Sequence, residues 1–267
     1  MDLPGTWVNE SGTLVYRVIP KCACSTIGQA IYFGDHGEFF DGDIHDAKDG
    51  ILKWNQSHNQ DRIREVVRQG EAYTFTCVRN PYTRILSAFF DKICGIQRNG
   101  NRYRGDMVPM ISKEYGVEVE GDFDQIASFR RFLLFVRDTI KFRKPMHPDI
   151  HWAPMAGHAS TLVKNGGKYD FVFAVEDFNP GLEHALKQRE LAHPVDVGAM
   201  PRFNESEGHG PKRAHPVEDY FSDLEIFTMN EIYRRDFSVF KYPKSPGKGG
   251  PRKPLDAAEI NEKLGRR

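Results

Sequence analysis

The sequence predicts an α/β fold with a central, mostly parallel sheet, and three observations carry that prediction. Residues 13–33, TLVYRVIPKCACSTIGQAIYF, read as strand, tight loop and helix. Residues 73–92, YTFTCVRNPYTRILSAFFDK, repeat that order, and residues 170–175, DFVFAV, form a third short apolar run of strand composition. Short runs of β-branched and aromatic residues, each leading into a helical pattern, are what a parallel sheet with helical crossovers requires.

In the first unit, Pro20 ends the strand and Cys22, Ala23, Cys24 and Ser25 are all small. Backbone N–H groups there can approach a ligand, and the helix that continues from Thr26 carries partial positive charge at its start. Lys21 adds a full charge at the same place, so the loop is built for a phosphate or a similar oxyanion. It lacks the G-x-x-x-x-G-K-[ST] order of a nucleoside-triphosphate P-loop, because Lys21 precedes the small residues. An ordinary turn after a buried strand would read the same way in the absence of a second anion site.

The second unit supplies one. Asn80-Pro81 stops the strand at residue 78, Arg79 stands at its carboxyl end, and an amphipathic helix follows. Ligands of open parallel sheets bind beyond the carboxyl ends of the strands, so Arg79 and the Lys21 loop should face one crevice. Ser87, in the second turn of that helix, could join Arg79 on a second anionic group. Two anion sites on neighbouring strands imply a ligand with two separated charged ends.

PKCACSTI resembles the 5′-phosphosulfate loop of sulfotransferases, and CVRNPYTRILSAFFDK is similar to their 3′-phosphate motif, in which an Arg and a Ser eight residues later grip the nucleotide. The nearest resemblance is to the Golgi carbohydrate sulfotransferases of the heparan 2-O- and chondroitin/HNK-1 type (sulfotransferase family 2), extending loosely over residues 14–242. It implies a P-loop-like three-layer α/β/α fold and transfer of a sulfuryl group from 3′-phosphoadenosine-5′-phosphosulfate (PAPS) to a hydroxyl, with adenosine 3′,5′-bisphosphate (PAP) as product. It places Lys21, Cys22, Ala23, Cys24, Ser25 and Thr26 on the 5′ end and Arg79 and Ser87 on the 3′-phosphate. A kinase-like phosphotransferase and a non-catalytic PAP- or glycan-binding relative are the alternatives.

The acceptor hydroxyl needs a general base, and histidine suits neutral pH. Residues 51–57 read as a second strand, with Asn59 as N-cap of a helix over 60–69 that bears Ile63, Val66 and Val67 on one face. His58 then falls on the same carboxyl edge as Lys21 and Arg79, where the heparan 2-O-sulfotransferases have a catalytic His. His58 is the expected base, ahead of His151 and of Glu38, whose segment GEFFDG resembles a Glu-bearing stretch in other glycan sulfotransferases. The His151–Pro154 pattern again resembles the chondroitin/HNK-1 branch, so His151 and Trp152 are candidate acceptor contacts, with a buried structural pair as the alternative.

Composition narrows the partners. Lys plus Arg and Asp plus Glu both total 37, so no overall field favours nucleic acid or a membrane surface. The 4 Cys residues form no C-x-x-C pair, which argues against a metal site or a disulfide framework and for a reducing compartment. No run approaches the roughly 18 apolar residues of a membrane span. The expectation is a bacterial, cytoplasmic enzyme acting on a glycan or small hydroxylated acceptor without a metal, or a Golgi-lumen enzyme whose N-terminal anchor has been removed.

Along the rest of the chain, residues 1–12 read as a polar lead-in. Residues 34–50 read as an exposed Gly/Asp-rich loop in which His36 and His45 show no metal-ligand spacing. Residues 95–121 are irregular, with Arg98, Arg102 and Arg104 clustered. A helix is expected over 123–139 with Phe129, Phe132, Leu133 and Val136 facing the core, and another over 176–191. A connection over 192–215 holds Arg202 and Lys212, which the resemblance would use to close over the nucleotide. A last helix spans 216–237, packed through Tyr220, Leu224, Phe227 and Ile232. Residues 1–243 form one domain, and 244–267 a basic Pro/Gly-rich tail with a short helix over 256–264, either mobile or packed on a partner chain as in a homodimer.

Overall fold

The computed structural model describes residues 2–46, 51–53, 59–96, 103–201, 203, 211–247 and 249–266. A five-stranded sheet has the order β3-β1-β2-β4-β5, with β1 Thr6–Val8, β2 Leu14–Arg17, β3 Leu52–Lys53, β4 Tyr73–Val78 and β5 Phe171–Ala174. The central strands β2, β4 and β5 run parallel, and β1 and β3 extend the sheet as antiparallel neighbours. Tyr16 stacks on Phe75 at 5.2 Å and Phe75 faces Phe173 at 6.3 Å, so one aromatic ladder crosses all three parallel strands.

Alternation along each strand fills a core on both faces, as a three-layer α/β/α arrangement requires. Leu14, Tyr16, Phe75, Cys77 and Phe173 pack with α1 (Cys24–His36) and α7 (Phe178–Leu186). Val15, Val78, Val172 and Ala174 pack on the other side with α2 (Gln60–Gln69), α3 (Pro81–Ala88), α5 (Gln125–Phe142) and α6 (Met155–Lys164). Phe129, Phe132, Leu133 and Val136 of α5 are buried, as their spacing predicts.

The departures from expectation have local causes. The lead-in contains β1, held by Asn9, whose Oδ1 accepts from the N–H groups of Thr13 and Leu14 and closes the hairpin to β2. Three residues are too few for alternation to register. Helix α4 (Met107–Tyr115) arises in a stretch read as irregular, and α6 in residues to which the sequence assigned no element. The single helix expected over 216–237 is instead a 3-10 turn, Glu218–Tyr220, then α8 (Asp223–Ile232), which Ser222 and Glu225 start afresh with a capping box, and α9 (Arg234–Phe240). Leu224 and Phe227 consequently point outward, 62% and 65% exposed, instead of packing. The C-terminal segment packs on its own chain: α10 (Ala257–Gly265), capped by Asp256, buries Ile260 and Leu264 against α6 and α9.

Helix α1 lies so close to β1 that a Cβ on Gly28 would stand 2.4 Å from Trp7 Cζ3 and 3.1 Å from Ile44 Cγ1. Gly28→Ala should therefore cost about 1–3 kcal/mol by overpacking, read as a lower urea midpoint with an unchanged slope. Wild-type stability would show that α1 can move off Trp7.

Candidate active site

Strand β2 leaves the sheet at Arg17 and its continuation turns sharply over residues 18–23. Lys21 (φ 68°) and Ala23 (φ 58°) both adopt the left-handed conformation that non-glycine residues rarely take. Each such residue costs of order 1–3 kcal/mol, and turns of this kind gather successive N–H groups on one concave side. Ala23 is also the N-cap of α1, so the first-turn N–H groups from Cys24 to Thr26 have no helical carbonyl to pair with. Cys22, in contrast, is buried against Met155, and burial pushes its thiol up to about 12.

Strand β4 ends beside this loop. Arg79 Nη1 donates to the Lys21 carbonyl at 3.2 Å and Nε donates to Thr83 Oγ1 at 3.1 Å, while Nη2 makes no hydrogen bond among the described residues. Asn80 caps α3 by accepting from Tyr82 N at 3.0 Å, with Pro81 in the first turn. The structure thus brings Lys21, Ala23, Cys24, Ser25, Thr26, Arg79 and Ser87 to the lining of one cleft of about 1900 Å³. Ser87 Oγ makes no hydrogen bond among the described residues.

The Lys21 ammonium sits 2.7 Å from Asp91 Oδ2, and Lys92 Nζ lies 3.1 Å from the same oxygen. Burial lowers the Lys21 pKa, against the support of Asp91. Asp91 is itself held below the usual carboxylate range: burial raises it, but the two ammonium groups outweigh burial.

On the opposite wall, His151 Nδ1 is 2.7 Å from Asp149 Oδ1. Asp149 is buried, receives Tyr103 Oη at 2.9 Å and pairs with Arg104 at 3.3 Å. Burial raises the Asp149 pKa, and its bonds from His151 and Tyr103 overcome this to pull it down to about 2. Burial also keeps His151 below its ordinary value, against the pull of Asp149. His151 is therefore a neutral imidazole whose Nδ1–H donates to a carboxylate, leaving the Nε2 lone pair for another proton.

Several expected residues fall elsewhere. His58, Arg98, Arg102 and Arg202 lie outside the described residues. Trp152 is fully buried, edge-on to Phe132 and Phe135 at 5.6 and 5.8 Å, so it is a core residue and not a platform for a sugar. Glu38 is exposed just past the C-terminal end of α1, some 20 Å along the helix from the loop at 1.5 Å per residue, and does not line the cleft. Lys212 is exposed and its neighbour Arg213 lines the cleft instead.

Other residues at the site were given no role in it by the sequence. His45 lies in a short 3-10 turn, Ile44–Asp46, with Nε2 3.1 Å from Ser25 Oγ and 3.7 Å from Cys24 Sγ. Burial opposes its protonation, but the Cys24 contact prevails and raises its pKa. His36 lies ring to ring with Tyr32 at 4.2 Å, and among the described residues no His, Cys, Asp and Glu group could hold a metal ion. Asp149 had only the general signal that an Asp side chain tends to accept from the backbone N–H two residues on, as Asp149 Oδ1 does from His151 N at 3.0 Å. Asp91 and Lys92 had none beyond their place one turn after Ser87.

Removing the Asp149 charge should lower the His151 pKa further, because the anion stabilises imidazolium. In histidine NMR titrations, His151 should titrate below 6.5 in the wild type and lower still in Asp149→Asn. An upward move would contradict the pairing.

Comparison with known proteins gives the same direction. The model of the Sulfotransferase family matches residues 4–243. Carbohydrate sulfotransferase 10 of Danio rerio is 27% identical over 212 residues, 75% of this chain and 54% of the relative. Carbohydrate sulfotransferase 14 of Danio rerio is 23% identical over 88% of this chain and 61% of its own length. Carbohydrate sulfotransferase 8 of Mus musculus is 24% identical over 67% and 42%. The chain thus spans about half the length of these relatives, and no solved structure matches it. The relatives are animal carbohydrate sulfotransferases, and this overturns the expectation of a bacterial, cytoplasmic enzyme. Among the described residues no helix is long and apolar enough to cross a membrane. A match over residues 4–243, with strand-to-helix junctions at Lys21 and Arg79, makes this chain a member of the sulfotransferase family.

Proposed function

We propose that the chain transfers a sulfuryl group from PAPS to a hydroxyl of a carbohydrate acceptor. The observation that carries this reading is the contact between the two anion-binding loops: Arg79 donates to the Lys21 carbonyl, so two cationic side chains border one cleft. A ligand with phosphate at both ends of a nucleoside would present one anion to each of these cations. The residues fit the group, since Arg79 Nη2 and Ser87 Oγ have no hydrogen-bond partner among the described residues, and the first turn of α1 presents N–H groups that the helix cannot satisfy.

In this reading the 5′ end lies at Lys21 and the loop from Cys22 to Thr26, and the 3′-phosphate at Arg79 and Ser87. As the acceptor oxygen bonds to sulfur, the bond from sulfur to the bridging oxygen breaks and negative charge grows on the leaving phosphate. Lys21 and the loop N–H groups stabilise that charge; preorganised donors of this sort contribute about 3–4 kcal/mol each. The acceptor proton passes to a base. Within the described residues His151 meets the requirement: neutral, oriented through Nδ1 by Asp149, and on the wall of the same cleft. Imidazolium formed there gains the Asp149 carboxylate as partner.

Lys21→Ala should depress kcat more than tenfold while PAP affinity falls less. Arg79→Ala with Ser87→Ala should weaken PAP far more than 5′-AMP, measured by thermal shift. Normal turnover of the first variant removes Lys21 from the reaction, and equal losses for both ligands in the second place the 3′-phosphate elsewhere. His151→Ala should lose at least a hundredfold in kcat with little change in PAP affinity; retained turnover of labelled PAPS would remove His151 as the base.

A further inference from the structure

Lys21 and Asp91 form a partly buried ion pair, with side chains 17% and 15% exposed. The carboxylate is not a private partner: among the described residues the Lys92 ammonium reaches the same oxygen, so the anion is shared between cations. Its place in the fold explains how. Asp91 and Lys92 lie in the π-helical turn Phe89–Ile93, which continues α3 directly after Ala88. A π turn widens the helix and re-aims the side chains it carries, and such turns recur at functional sites. Phe89, Phe90 and Ile93 are buried, leaving Asp91 and Lys92 on the cleft side of the turn.

The other charged groups around Lys21 cannot replace Asp91. Among the described residues, Arg79 and Lys92 are cations, and Cys24 at the head of α1 supports the Lys21 ammonium less than Asp91 does. Asp91 is therefore the acid that keeps a buried ammonium charged in the open cleft, and the same charge opposes an arriving phosphate.

Resting on the proposed nucleotide site, we infer that Asp91 is a positioning residue: it holds the Lys21 ammonium as counter-ion in the empty cleft and yields it to the anionic 5′ end of the nucleotide, with Lys92 remaining on the carboxylate. The exchange balances charge. Lys21 moves from one anion to another, and Asp91 keeps one ammonium partner throughout. Nucleotide affinity then reports a competition between Asp91 and the ligand for Lys21.

A double-mutant cycle measured by PAP calorimetry tests this. Asp91→Asn should bind PAP at least threefold more tightly than wild type, and the same substitution in a Lys21→Ala background should gain less than half as much. Asp91→Glu, which keeps the charge, should stay within twofold of wild type. Asp91→Ser removes the charge with a smaller side chain and must give the same sign if the asparagine variant does not fold. Weaker PAP binding on charge removal, or an equal gain in both backgrounds, overturns the inference. Absence of PAP binding to the wild-type protein overturns the nucleotide site itself, whereas binding without a Lys21-dependent gain removes only the role of Asp91.

Discussion

The hydrogen bond from Arg79 to the Lys21 carbonyl depends on a register set well below it. Strands β2 and β4 pair in parallel with Arg17 opposite Thr76, and Thr76 Oγ1 donates to the Arg17 carbonyl at 2.7 Å. Because parallel neighbours end at the same edge, the two loops that follow must meet, and each supplies a cation to the meeting point. A second arginine fixes the surroundings. Arg84, buried in α3, donates to the carbonyls of Pro20, Ala153 and Ile150 and so ties the Lys21 loop to the segment that carries His151.

Gathering cations in a cleft is unfavourable unless each has an acceptor, and the fold meets that condition locally. Arg79 engages a carbonyl and a hydroxyl, Lys21 and Lys92 share Asp91, and Arg104 pairs with Asp149. Burial pushes Lys21 and His151 toward their neutral forms, and the two aspartates push the other way. One pair keeps a charge available for a leaving group, while the other keeps an imidazole ready to accept a proton. Both carboxylates are themselves lowered by the partners they serve.

The parts of this site that were legible in sequence are those where local chemistry decides. Small residues after Lys21, a Pro stop and an Arg at a strand end mark β2, β4 and their loops without tertiary information, and the Phe/Leu/Val spacing of α5 marks its buried face. The illegible parts depend on long-range packing. A three-residue strand such as β1 has identity only through its neighbours, α6 follows a Pro-rich stretch that hides its start, and Trp152 reads equally as platform or core until Phe132 and Phe135 close over it. Asp91 acquires meaning from a residue 70 positions away. The tail reads as linker by composition, yet Asn80 Nδ2 donates to Gly249 O and Tyr82 Oη to Lys244 O, binding it across the Arg-Asn-Pro turn.

The nucleotide position is the point on which the account stands. A crystal structure with adenosine 3′,5′-bisphosphate bound should show the 5′-phosphate against Lys21 Nζ and the first-turn N–H groups of α1, with the 3′-phosphate against Arg79 and Ser87. A nucleotide seated away from the β2 and β4 ends, or one whose phosphates touch neither Lys21 nor Arg79, would contradict it.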